Sequence, residues 1–234
     1  MKIVLNSIKV IGLILLSLVC NIIPMYLLQY QNKLSLSAKW GLGLVYIVLI
    51  ILVIYFLWQA HKKHDSAEVA TQKMTAKDIG IALLFFLVAR VVAITGTLIN
   101  QILSGQSTTT NDAALQSLTA FFKNGFFLYT LLYVILVGIV GPIIEEMAYR
   151  AFPNHLWFKN SHKVLAGIIT TLLFALLLFA FPHATTLFEF VLYACIGAIL
   201  YLAYARRGNI KDSMLVHILN NLPTALYFLF IALK

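Results

Sequence analysis

Charge is what this sequence has least of. Of its 234 residues only 11% are charged, and eight acids face 17 bases. Soluble domains carry about a quarter charged residues, so an ordinary water-facing surface is excluded. Cysteine is nearly absent too. Cys20 and Cys195 both fall in apolar runs, which leaves no disulfide framework and no metal-binding spacing. Also missing are the alternating segments of about ten residues that barrel strands would show. What the chain has is hydrophobic residues, 62% of the total, in stretches long enough to cross a hydrocarbon core of about 30 Å. The pattern predicts an all-α fold, a polytopic helical transmembrane bundle of about seven spans (seven or eight). The spans are expected near 10–28, 40–59, 79–103, 126–145, 164–181, 187–205 and 213–233. Residues 1–234 read as a single integral membrane domain.

The net charge of +9 reports topology, and no nucleic-acid partner is expected. With the N-terminus in the cytoplasm, the inside segments hold Lys2, Lys9, Lys62, Lys63, Lys73, Lys77, Arg150, Lys159, Lys163, Arg206, Arg207 and Lys211. Only Lys33, Lys39, Lys123 and Lys234 fall outside. This asymmetry follows the positive-inside rule and predicts a multi-pass protein of the cell membrane, with the lipid bilayer as its surroundings. The first apolar run continues past Pro24 with no small-residue cleavage site, so it reads as a retained span.

The polar segment 60–78 is the main internal linker. Within it, Thr75-Ala76-Lys77-Asp78 matches a capping box opening the third span, with Asp in place of the usual Glu. Leu115, Leu118, Phe121 and Phe122 recur at helical spacing and predict a short interfacial helix before the fourth span.

Charges inside spans cost something like 2.5–3.5 kcal/mol on insertion scales and generally face the bundle interior. The densest group ends the run FFLYTLLYVILVGIVGPII: Glu145, Glu146 and Arg150. At about 100° per residue, Glu146 and Arg150 share a helix face while Glu145 points away from it. Arg150 is therefore expected to neutralise and orient Glu146, leaving Glu145 for chemistry. A carboxylate in an apolar cavity suits a general base that activates water. The competing reading is that the three charges merely end the span at its cytoplasmic boundary. Phe179 and His183 lie four apart beside Pro182, and His217 and Asn221 lie four apart on the last span. A histidine with an amide can serve one oxyanion, or can join helices as polar glue. Outside these groups, Arg90 and Glu189 are expected to form a structural ion pair, or Arg90 to counter a motif glutamate.

The order E-E-x-x-x-R, F-x-x-x-H, H-x-x-x-N, each on its own span, resembles the CAAX-protease and bacteriocin-processing family of intramembrane glutamic endopeptidases. The stretches Gly197–Tyr201 and Ala205–Ile210 also look like that family's text, and the resemblance covers about residues 130–225 within a motif-bearing core of about 126–233. One departure is Ala151, where the family often has Gly. The resemblance implies a peptidase whose catalytic residues are Glu145, His183, His217 and Asn221. Glu145 would activate water with help from His183, and His217 and Asn221 would stabilise the oxyanion. Glu146 and Arg150 would be supporting residues, with no metal and no cofactor. The implied partner is a peptide or membrane-protein substrate, with bacteriocin self-immunity or processing as the expected setting. The rival readings are a non-catalytic membrane immunity or receptor-binding protein and, ranked last, a small transporter.

The motifs must also meet at one depth. With Glu145 at the inner end of its span, His183 lies roughly 30 Å along the fifth span and His217 near the inner end of the last. Either the fourth span continues past Arg150, or the fifth is tilted or begins later.

Overall fold

The computed structural model describes residues 2–64, 72–123, 125–180 and 186–234, and every regular element among them is helical. In chain order these are α1 (Lys2–Tyr30), α2 (Leu36–His64), α3 (Ala76–Ser104), α4 (Thr110–Ser117), α5 (Phe127–Phe158), α6 (Lys163–Ala180), α7 (Leu187–Ala205) and α8 (Ile210–Ala232). Six of them are long and apolar enough to cross a bilayer, α6 is a shorter apolar helix, and α4 is a short polar one. This is a multi-pass membrane protein.

The outer helices show why. On α1, Val10, Ile14, Ser17, Cys20, Pro24 and Leu28 are buried, three or four residues apart along one face. Ile8, Ile11, Leu15 and Val19 on the other face are exposed, as a helix bordered by lipid requires. α5 is the most buried span and the centre of the bundle. It packs against α1 and α8, while α7 packs against α6, α3 and α8.

Polar residues fix the ends. Thr75 caps α3: its hydroxyl accepts from the Asp78 amide at 3.3 Å and its own amide donates to Asp78 Oδ2 at 2.9 Å, the capping box foreseen in the sequence. Asp78 also takes Arg206 at 2.6 Å and Arg207 at 3.1 Å, and both arginines reach Asp212 at the start of α8. One acidic pair thus ties α3, α7 and α8 together at the basic end of the bundle. At the opposite end Gln31 grips the segment before α5, donating to the Phe121 carbonyl at 2.9 Å and accepting from the Phe126 amide at 2.6 Å. A short helix does precede the fourth span, as α4 and a following 3-10 turn, Leu118–Phe121, with Leu118 and Phe122 buried in the protein core.

Close approach of α5 to α8 depends on Gly138. A Cβ there would lie 2.9 Å from Ala225 Cβ, which cannot rotate away. We expect Gly138→Ala to cost about 1–3 kcal/mol as overpacking, read as earlier thermal unfolding in detergent. Gly12→Ala, where an added methyl meets nothing within 4 Å, should leave the transition unmoved or slightly higher.

Candidate active site

The site grows from an irregularity in α5. This helix contains two π-helical turns, Leu136–Val140 and Met147–Ala151, and each is followed by a proline, Pro142 and Pro153. Proline has no N–H to donate and its ring crowds the carbonyl four residues earlier. A wider turn at that point relieves the clash, and such bulges are frequent at functional sites. Between and within these turns sit Glu145, Glu146, Tyr149 and Arg150.

The charges do not end the span. The boundary expected at residue 145 is corrected to Phe158. The reason is mutual neutralisation: Arg150 Nη1 donates to Glu146 Oε1 at 2.6 Å, and both side chains are 0% exposed. The continuation is the first of the two alternatives for the depth problem, a longer fourth helix that carries the glutamates into the bundle, while the depth of His183 lies outside the described residues.

Glu146 Oε1 has a second partner, His217 Nδ1, at 2.8 Å. A carboxylate paired with arginine can only accept, so Nδ1 carries the proton there. The imidazole is thereby oriented with Nε2 toward Glu145, 3.8 Å from its Oε2. The Arg150 guanidinium also lies 4.2 Å from the Phe174 ring centroid, a cation–π contact from α6. Three helices therefore meet at one carboxylate.

Glu145 is placed differently. Its Oε1 accepts from Asn21 Nδ2 of α1 at 2.7 Å, and its side chain lines a cavity of about 520 Å³. His217, Asn220 and Asn221 line the same cavity. Asn221 spends one N–H on the Val137 carbonyl, 3.2 Å away, where the first π turn leaves α5 irregular. Asn220 donates to Asn221 Oδ1 at 3.3 Å.

The structure thus brings together Glu145, Glu146, Arg150, His217 and Asn221 of the residues singled out in the sequence. His183, and the side chain of Phe179 paired with it, lie outside the described residues. Among the described residues no group of three or more His, Cys, Asp and Glu is arranged to hold a metal ion. One expectation fails and one residue was missed. No ion pair joins Arg90 to Glu189 among the described residues; Glu189 instead accepts from the Thr110 amide at 2.7 Å and from its hydroxyl. Asn21 was missed because it belongs to no motif. Its signal was there all the same, a lone amide in the apolar run LVCNIIP, where an intramembrane polar residue calls for a partner.

Comparison with known proteins adds to this geometry. Residues 127–223 match the family described as type II CAAX prenyl endopeptidase Rce1-like. The match covers less than half of the chain, and over that segment the chain is similar to the CAAX-protease family. It starts with α5 and ends within α8, so it holds both glutamates, His217 and Asn221, while Asn21 lies outside it. A stretch of 79 residues is 34% identical to the UPF0177 protein YbdJ of Lactococcus lactis, covering 34% of this chain and 31% of that protein. No solved structure matches the chain.

The carboxylate shared by Arg150 and His217 carries a stability consequence. Arg150→Met leaves Glu146 buried with one partner removed and should cost about 3–5 kcal/mol. Adding Glu146→Gln removes the stranded charge and should recover part of that loss, measured as thermal unfolding of the purified variants in detergent.

Proposed function

We propose that this protein is a glutamate-dependent endopeptidase that hydrolyses a peptide bond within the membrane. The observation that carries the reading is the division of labour between adjacent glutamates. Glu146 is buried, with one oxygen accepting from both Arg150 and His217, whereas Glu145 faces the cavity with one oxygen held by Asn21 and the other beside His217 Nε2.

In this mechanism Glu145 takes a proton from a water molecule as the water oxygen bonds to the scissile carbonyl carbon. The carbonyl oxygen becomes an oxyanion, stabilised by the free N–H of Asn221 and by His217 when Nε2 is protonated. Collapse of the tetrahedral intermediate breaks the C–N bond, and the proton held by Glu145 passes to the departing amine. His183 is assigned as the second histidine, assisting the water, on the family resemblance alone. The setting we propose is the cell membrane, N-terminus inside, with bacteriocin self-immunity or processing as the role.

Glu145→Gln keeps the shape and the hydrogen bond from Asn21 but cannot take a proton. It should lower cleavage by about 10²–10⁴-fold, the usual contribution of a positioned base, while membrane level and thermal stability stay unchanged. The substitution is made in the host chromosome beside a full deletion, reading antimicrobial-peptide sensitivity and fragments in the membrane proteome. A point variant that copies the deletion supports catalysis. One that behaves as wild type while the deletion does not would replace the peptidase with a binding role.

A further inference from the structure

The cavity that holds Glu145 has a direction. Away from the glutamate it is lined by Arg90, Thr97, Thr109, Asn111 and Asp112, which belong to α3 and to the α4 segment. None of its lining residues comes from the connections at the other end, 159–162 and 206–209. On that side the space beneath Glu145 is filled. Glu146, Arg150 and Ser213 are 0% exposed, and His61, Asn154, His155, Asn209 and Asp212 are all buried around them. A peptide arriving from the basic end would meet this packed layer.

The opposite end is open in two ways. Ile22 of α1 and Ile94 and Leu98 of α3 line the cavity, yet are 36%, 53% and 54% exposed, so a slot between the two helices reaches the protein's side. α1 packs on α5 and α3 packs on α7 and α8, which leaves these two helices as facing walls. The path is also polar. Arg90 is half-buried, and among the described residues no hydrogen bond or ion pair engages it. Asp112 lies near enough to interact with it electrostatically, and such a loosely paired, half-buried charge is more stable hydrated than dry.

Charge decides which side this is. The helix ends and loops beyond the packed layer hold Lys62, Lys63, Lys159, Arg206, Arg207 and Lys211, whereas Lys123 is the lone base between α3 and α5. By the positive-inside rule α4 faces out of the cytoplasm. We propose that Glu145 is reached by a hydrated path from the extracytoplasmic face, and that the substrate is a peptide presented there, its apolar residues lying in the slot between α1 and α3. The substrate class rests on the peptidase reading above; the path does not.

The test is accessibility of single cysteines in the full chain, with Cys20→Ala and Cys195→Ser as background. Thr97→Cys reports the path, with Ile94→Cys as a second reporter should the first not accumulate. Asn111→Cys reports the mouth and Lys159→Cys the opposite face. A sulfonated, membrane-impermeant maleimide is added to intact cells and, separately, to inside-out vesicles. We expect the path and mouth cysteines to react severalfold more in intact cells, and Lys159→Cys to react only in inside-out vesicles. Labelling of Lys159→Cys in intact cells would reverse the orientation and overturn the proposal. So would path cysteines that react only from inside-out vesicles, or from neither side while still reacting after denaturation. Labelling needs no catalysis, so failure here leaves the Glu145→Gln result standing, and the converse holds.

Discussion

A single buried carboxylate holds this site together. Glu146 lies at 0% exposure on the central helix, and one of its oxygens accepts from both Arg150 and His217. Burying an isolated carboxylate is costly, several kcal/mol even after relaxation, so the ion is tolerated only with partners at good geometry. Those partners come from different places. Arg150 is one turn further along α5 and rests on Phe174 of α6, and His217 comes from α8. The energetic demand of one charge thereby fixes the relative positions of three helices. It also fixes the histidine tautomer, because an acceptor at Nδ1 leaves Nε2 for the cavity.

The same arrangement explains why two adjacent glutamates do unlike things. Their side chains leave the helix about 100° apart, so Arg150 pairs with Glu146 while Glu145 turns elsewhere. Glu145 meets Asn21 and the cavity instead. A helix with regular turns throughout would have to place Pro142 and Pro153 against carbonyls one turn back. The two π turns absorb that conflict and leave the Val137 carbonyl for Asn221. Irregular backbone at membrane depth is tolerable here because its polar groups face protein or the cavity.

Much of this was legible in the chain. The capping box at Thr75 and Asp78 is a local matter of spacing, and it formed as spacing required. The Glu146–Arg150 pair likewise follows from helix periodicity alone. The end of the fourth span was only half legible: the pairing of Glu146 with Arg150 was foreseen and a span running past Arg150 was one of two alternatives, but helix periodicity does not say which one the packing selects. Asn21 and Glu145 are 124 positions apart, and only the packing of α1 on α5 brings them together. Arg90 and Glu189 had no local partner to settle their fate. Glu189 found the amide and hydroxyl of Thr110 at the start of α4, 79 positions away, a pairing that helix periodicity cannot foresee.

The central claim is that Glu146 holds His217 with its proton on Nδ1. The direct measurement is ¹⁵N NMR of ring-labelled histidine in the intact protein in bilayers, with the His217 signal assigned by its absence from His217→Gln. The account predicts a proton on Nδ1 with a hydrogen-bonded shift, and loss of that hydrogen-bonded shift in Glu146→Ala, which removes the acceptor. A bare Nδ1 with the proton on Nε2 would contradict it, because Glu146 could then not be the carboxylate that organises the site.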